Sequence, residues 1–177
     1  MFFIPGFLIS FVTFPGVIVH EIAHRFFCDL AGVPVYKTCY FQFRNPAGYV
    51  VHGRTENLGA AFLVTIGPLL VNTVLCALIT FSAVIPVFIL NVEPMPVASF
   101  LLLWIGLSIG MHAIPSTQDG QSFKEQVEDA EGNVVLRGFA SLLVAFLWLA
   151  NLLRVVWFDA IYAVGVAFIL PLATGLV

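Results

Sequence analysis

Met1 to Val19 contain no charged side chain, and this run leads straight into Val17-Ile18-Val19-His20-Glu21-Ile22-Ala23-His24. About 20 apolar residues are needed to cross a bilayer as a helix. Hydrocarbon offers no water to satisfy backbone N–H and C=O groups, so a run of this length in lipid is constrained to be helical. The rest of the chain agrees. Only 10% of its 177 residues are charged, against about 25% in an ordinary soluble domain, and the mean hydropathy is +1.03. The first residues carry no Lys or Arg and no small-residue cleavage site follows, so a retained span is expected and not a signal peptide. A net charge of −3 leaves no basic footprint for nucleic acid. Three scattered cysteines, Cys28, Cys39 and Cys76, argue against a disulfide framework.

His20, Glu21 and His24 stand in the pattern HExxH. Residues four apart share a helix face, so both imidazoles can address one metal ion, and Glu21 is placed to take a proton from a water bound to it. An ionisable group in a membrane span is costly unless it faces water or a partner, so the three side chains read as functional.

Hydropathy divides the chain into a first span at about 2–27, bent or shortened by Pro5 and Pro15, and a hydrophilic segment at about 29–57. Residues 36–43 and 49–52, either side of Asn45-Pro46-Ala47-Gly48, predict a β-hairpin at the membrane surface. A second span is expected at 58–81, a third at 97–114, and a polar loop at 116–132; residues 134–177 fit two more spans that turn near 151–154, with a re-entrant arrangement as the alternative. The fold expectation is therefore an all-α polytopic membrane protein of about five transmembrane helices with a small β-hairpin. Residues 1–125 form its catalytic core; 126–177 add a polar loop and two spans to the same domain.

Lys and Arg set orientation. Arg25, Lys37, Arg44, Arg54, Lys124 and Arg137 fall on the side of the motif, and only Arg154, near the last turn, falls opposite. This puts the active site towards the cytoplasm and the N-terminus outside. Crossing parity brings Asp119 to the same face as His20 and His24. A catalytic zinc site takes three protein ligands and leaves one position open, and Asp119 is the preferred third; Cys28, four residues past His24, is the other candidate. Asp119-Gly120 is also an ordinary turn pair.

Pro68 removes an N–H and frees a carbonyl one turn back, which another group in the membrane must satisfy. Asn72, mid-span, needs a partner, either as packing glue or as a group lining a polar cavity and binding substrate backbone. His112 is open between a group supporting the metal ligands, a substrate-side donor and an interhelical contact. His52 is assigned to the hairpin, and Arg154 and Asp159 to the interface.

Together these residues resemble the site-2 protease family of intramembrane zinc metalloproteases. HEIAH ends an apolar helix and is followed by Leu30-Ala31-Gly32-Val33-Pro34-Val35; Gly67-Pro68-Leu69-Leu70-Val71-Asn72 is similar to the family's GPxxxN motif; Asp119-Gly120 matches the end of its NxxPxxxLDG motif. The resemblance covers about residues 1–125. Met111 to Gly120 depart from it, lacking the Asn, displacing Pro115 and carrying Gln118 in place of Leu. No PDZ-like domain is expected. The resemblance implies one zinc ion per chain on His20, His24 and Asp119, Glu21 as general base and acid, and hydrolysis of peptide bonds in or near transmembrane helices of membrane-protein substrates. It also implies that the hairpin holds an unwound substrate by strand addition. The alternatives are a catalytically silent relative that binds membrane helices as a scaffold or chaperone, and a metal transporter or sensor.

Overall fold

The computed structural model describes residues 6–129 and 134–176. In chain order these form α1 (Gly6–Val12), α2 (Phe14–Leu30), β1 (Val35–Cys39), β2 (Tyr49–His52), α3 (Leu58–Phe88), α4 (Val97–Met111), α5 (Thr117–Asp129), α6 (Val134–Leu152), a 3-10 turn (Leu153–Val156) and α7 (Phe158–Ala173). The fold is mostly helical, with one two-stranded antiparallel sheet. Two stretches, Leu58–Phe88 and Val134–Val156, are long and apolar enough to cross a membrane.

Proline placement explains the first two elements. Pro15 lies in the opening turn of α2, where its missing N–H has no helical partner to lose, and the chain breaks at Thr13 just before it. The stretch expected as the first span is thus two helices. The bend expected at Pro5 lies outside the described residues. By contrast, α3 runs unbroken through Pro68 and Pro86 to Phe88, seven residues past its expected end at 81. It starts at Asn57, whose side chain accepts from the Gly59 and Ala60 N–H groups as an N-cap.

Helices α2, α3 and α4 form the centre and approach closely where side chains are small. A Cβ on Gly16 would lie 2.0 Å from the Ser108 carbonyl oxygen of α4, and one on Gly67 of α3 would lie 2.1 Å from the Phe27 ring of α2. Gly110 of α4 meets Cys76 of α3 and Ala163 of α7 in the same way.

Two pairs of helices each follow α3 as one interrupted path. Along α4 and α5 the neighbours on α3 descend: Gly106 lies beside Thr80, Ile109 beside Asn72, and Phe123 against Ala61 and Phe62. Along α6 and α7 they ascend: Ala140 packs with Ala61, Leu147 with Leu69, Tyr162 with Thr73 and Cys76 with Ala163. Both paths break at the same level, between Met111 and Thr117 and between Leu152 and Phe158.

Two expectations are corrected by this. First, most of the supposed polar loop 116–132 is helix α5. Ser116 Oγ accepts from the Asp119 N–H while Asp119 Oδ2 accepts from the Ser116 N–H and hydroxyl, a capping box that starts the helix. Phe123 and Val127 then bury one face against Ala61 and Ala140. Residues 130–133 lie outside the described set. Second, α6 and α7 do not fold back on one another at 151–154. The Asn151 amide donates to the Pro115 carbonyl at 3.0 Å and Arg154 Nη2 to the Ile114 carbonyl at 3.0 Å, so the second break is fastened to the first. Arg154 therefore sits at the depth of Ile114, not on the opposite side. The hairpin is present as expected. Its strands pair from Val35 with His52 to Cys39 with Tyr49, close to the expected positions. The connecting segment reaches back along the helices, with Phe41 against Phe14 and Phe43 against Phe11. Those partners precede His20 by six and nine residues.

Candidate metal centre

His20 and His24 share one face of α2, as their spacing requires, and α5 begins opposite them. His20 Nε2 and His24 Nε2 lie 3.2 Å apart, and His24 Nε2 lies 3.7 Å from Asp119 Oδ2. These three residues form the one group of potential metal ligands found among the described residues, with ligand atoms all within 4.8 Å of one another. Cys28 is fully buried in an apolar cluster with Val33 and Val64 and is no part of it.

The backbone around each imidazole decides which nitrogen faces the centre. His20 Nδ1 lies 2.6 Å from the His112 carbonyl oxygen, and His24 Nδ1 lies 2.9 Å from the Val64 carbonyl oxygen. A carbonyl only accepts, so each Nδ1 carries the proton and each neutral ring turns a bare Nε2 inward. Two lone pairs then face each other beside a carboxylate. A proton reconciles one pair of these atoms; a cation between them reconciles all three.

Zinc fits that demand. Tetrahedral Zn–N bonds of about 2.0–2.1 Å place neighbouring ligand nitrogens about 3.3 Å apart, close to the 3.2 Å between the two imidazoles. Hydrogen bonds from the far ring nitrogens to carbonyls are the usual means of orienting such ligands.

Both orienting carbonyls are available for identifiable reasons. Val64 stands four residues before Pro68, so the N–H that would occupy its carbonyl in a regular helix is missing, and His24 supplies the donor. The His112 carbonyl is free because α4 has just ended. Asn72, fully buried, donates to it and to the Ile109 carbonyl, both at 3.1 Å. Asn72 thus acts behind His20, and it is not among the residues lining either cavity described below. Pro68 acts behind His24 in the same manner. Gly67, not singled out for packing by sequence, lets Phe27 and hence α2 approach.

Asp119 is aimed by its capping box.

Glu21 is buried, 8% exposed, on the adjoining face of α2. The hairpin backbone closes over it: a Cβ on Gly48 would lie 2.7 Å from Glu21 Cγ. A small cavity of about 140 Å³ holds Glu21 with His20, Gly48, Ser116, His112 and Arg154. It shares Ser10, Ala47, His112 and Arg154 with a groove of about 960 Å³ walled by α1, the hairpin connection at Phe41 to Asn45, Met111 and the stretch from Arg154 to Asp159. His112 Nε2 lies 2.8 Å from Thr13 Oγ1, whose own proton goes to the Ile9 carbonyl. The ring therefore donates from Nε2 to Thr13, and its backbone carbonyl serves His20. His52, bonded to Gly53 in the hairpin, lies apart from the metal group.

The arrangement sets a buried carboxylate beside three potential metal ligands, next to a groove of about 960 Å³. No family model, curated protein or solved structure matches the chain.

Proposed function

We propose that this protein is an intramembrane zinc metalloendopeptidase of the kind its motifs resemble. The observation that carries the reading is the convergence of His20, His24 and Asp119, ninety-five residues beyond His24, beside a buried Glu21 at the end of a groove. The same reading puts the chain in a bilayer. Helices α3 and α6 turn Leu70, Val74, Leu78, Leu142, Phe146 and Leu149 outward, and lipid is the medium that suits them. The two interrupted paths, α3, and α1 with α2 make four crossings, with the charged Arg54, Lys124, Glu125 and Asp129 gathered at the cytoplasmic end. The centre, at the level of Val64 to Asn72, lies roughly 10–20 Å along α3 from Leu58 at 1.5 Å per residue.

His20, His24 and Asp119 would hold one zinc ion. When bound, zinc supplies a Lewis acid that polarises a peptide carbonyl and makes a water acidic enough to be used at neutral pH. Glu21 takes the proton from the attacking water on its carboxylate and returns it to the leaving amide nitrogen. Gly48 and the hairpin cover keep bulk water from Glu21. The groove receives an extended segment, because a helical peptide bond is screened by its own turns and by the side chains around it.

Glu21→Gln keeps the shape of the side chain and removes the base. In liposomes holding a transmembrane reporter, this variant should cleave roughly 10²–10⁴ times more slowly while purified protein retains about one zinc per chain. Cleavage at the unaltered rate would refute the mechanism, and zinc-free protein from both forms would refute the metal centre.

A further inference from the structure

The break between α6 and α7 places two charged side chains, Arg154 and Asp159, in one wall of the groove, while Gln42, Arg44 and Asn45 of the hairpin connection line it as well. Arg154 and Asp159 form no ion pair with each other among the described contacts, although an isolated pair in such a wall is expected to close. Each is held elsewhere. Arg154 Nη2 donates to the Ile114 carbonyl, and Asp159 Oδ1 accepts from the Ala160 N–H. Arg154 Nε, buried from solvent, has no hydrogen-bond partner among the described residues. A buried guanidinium donor left unsatisfied is costly, and such a group is retained where something else completes it.

Arg154 also lines the small cavity that contains Glu21 and His20, so it stands where the groove opens into that cavity. An acceptor entering along the groove meets it immediately before reaching Glu21. The opposite wall is the hairpin connection from Phe41 to Asn45. A chain lying between them offers backbone carbonyls to an N–H donor on one side and backbone N–H groups to acceptors on the other.

We infer that Arg154 is a substrate-positioning residue: a guanidinium N–H not spent on the Ile114 carbonyl binds a backbone carbonyl of an extended peptide segment at the mouth of the Glu21 cavity. The guest is an unwound peptide and not an intact helix, because helical carbonyls are already occupied by their own N–H groups. This rests on the proteolytic reading above and adds the wall of the groove that faces the hairpin.

The test uses full-length protein carrying Glu21→Gln, which is meant to bind without cleaving, and a fluorescent peptide of an apolar transmembrane segment with a glycine-rich centre. Affinity is read by anisotropy in detergent micelles. Adding Arg154→Met or Arg154→Gln should weaken binding about tenfold or more, the low end for a hydrogen bond to a charged donor, with zinc per chain unchanged. Arg154→Lys should restore little, since an ammonium cannot bond the Ile114 carbonyl and the guest through a fixed fork. Unchanged affinity in Arg154→Met, with zinc retained, would overturn the inference and leave Arg154 a brace for Ile114. Equal loss of zinc and of peptide binding in all three variants would do the same, since it marks a collapsed break. If the Glu21→Gln protein itself binds no peptide, the inference fails together with the reading beneath it; if it binds in an Arg154-dependent way and the unaltered protein never cleaves, the protease reading fails alone.

Discussion

Gly67→Ala inserts one methyl group between α2 and α3, and its consequence for the candidate metal centre follows from distances. The new Cβ would stand 2.1 Å from Phe27 Cδ2 and 2.6 Å from Cε2. Carbon atoms in contact prefer about 3.5–4.0 Å, so roughly 1.5 Å must be found. If ring motion and helix separation share it equally, α2 moves away by about 0.7 Å. His24 Nδ1 then withdraws from the Val64 carbonyl, now 2.9 Å away, to about 3.6 Å, beyond a useful hydrogen bond. Losing such an orienting bond weakens metal affinity by about 10–100-fold, or about 1.4–2.7 kcal/mol. The measurement is a competitive zinc titration against a chromophoric chelator in detergent micelles. Phe27→Ala in the same chain removes the obstructing ring and should return most of the affinity. Zinc affinity unchanged in Gly67→Ala, or a double variant no better than the single, would refute the claim that close packing of α2 on α3 aims His24.

Two further expectations test the other supports. Ser116→Ala removes one arm of the capping box on Asp119; α5 should lose about 1 kcal/mol, and zinc should bind more weakly than in unaltered protein but more tightly than in Asp119→Ala, by the same titration. Cys28→Ala should lower the unfolding midpoint slightly, for a cost of about 1 kcal/mol, and leave one zinc per chain by elemental analysis; a fall in stoichiometry would return Cys28 to the ligand set.

Local periodicity was enough to place the two histidines side by side, because four residues on a helix fix a face whatever surrounds it. The same is true of the carbonyl freed by Pro68. Backbone geometry alone says that Val64 loses its donor, and the structure supplies His24 as the replacement. The pairing of strands around residues 45–48 was legible from turn chemistry in the same way.

Where the expectations failed, the deciding contacts join residues far apart in the chain. Asp119-Gly120 carries a turn signature, yet Ser116 at its N-terminal side and Ala61 and Ala140 across the interface make it the start of a helix. The polarity of Asn151 and Arg154 marked an interruption of the helix, but polarity does not tell a reversal from a break. Only the carbonyls of Ile114 and Pro115, opened by the end of α4, draw those side chains inward and keep α7 running on past α6. The sequence by itself determined a membrane-type helical chain bearing HExxH, a proline-freed carbonyl and a candidate third ligand, since each depends on hydropathy or on spacing within one element. Tertiary structure alone decided that both broken paths open at one depth, that Asn72 stands behind His20, and that Arg154 faces the groove, since each follows from unsatisfied backbone groups finding donors on distant segments.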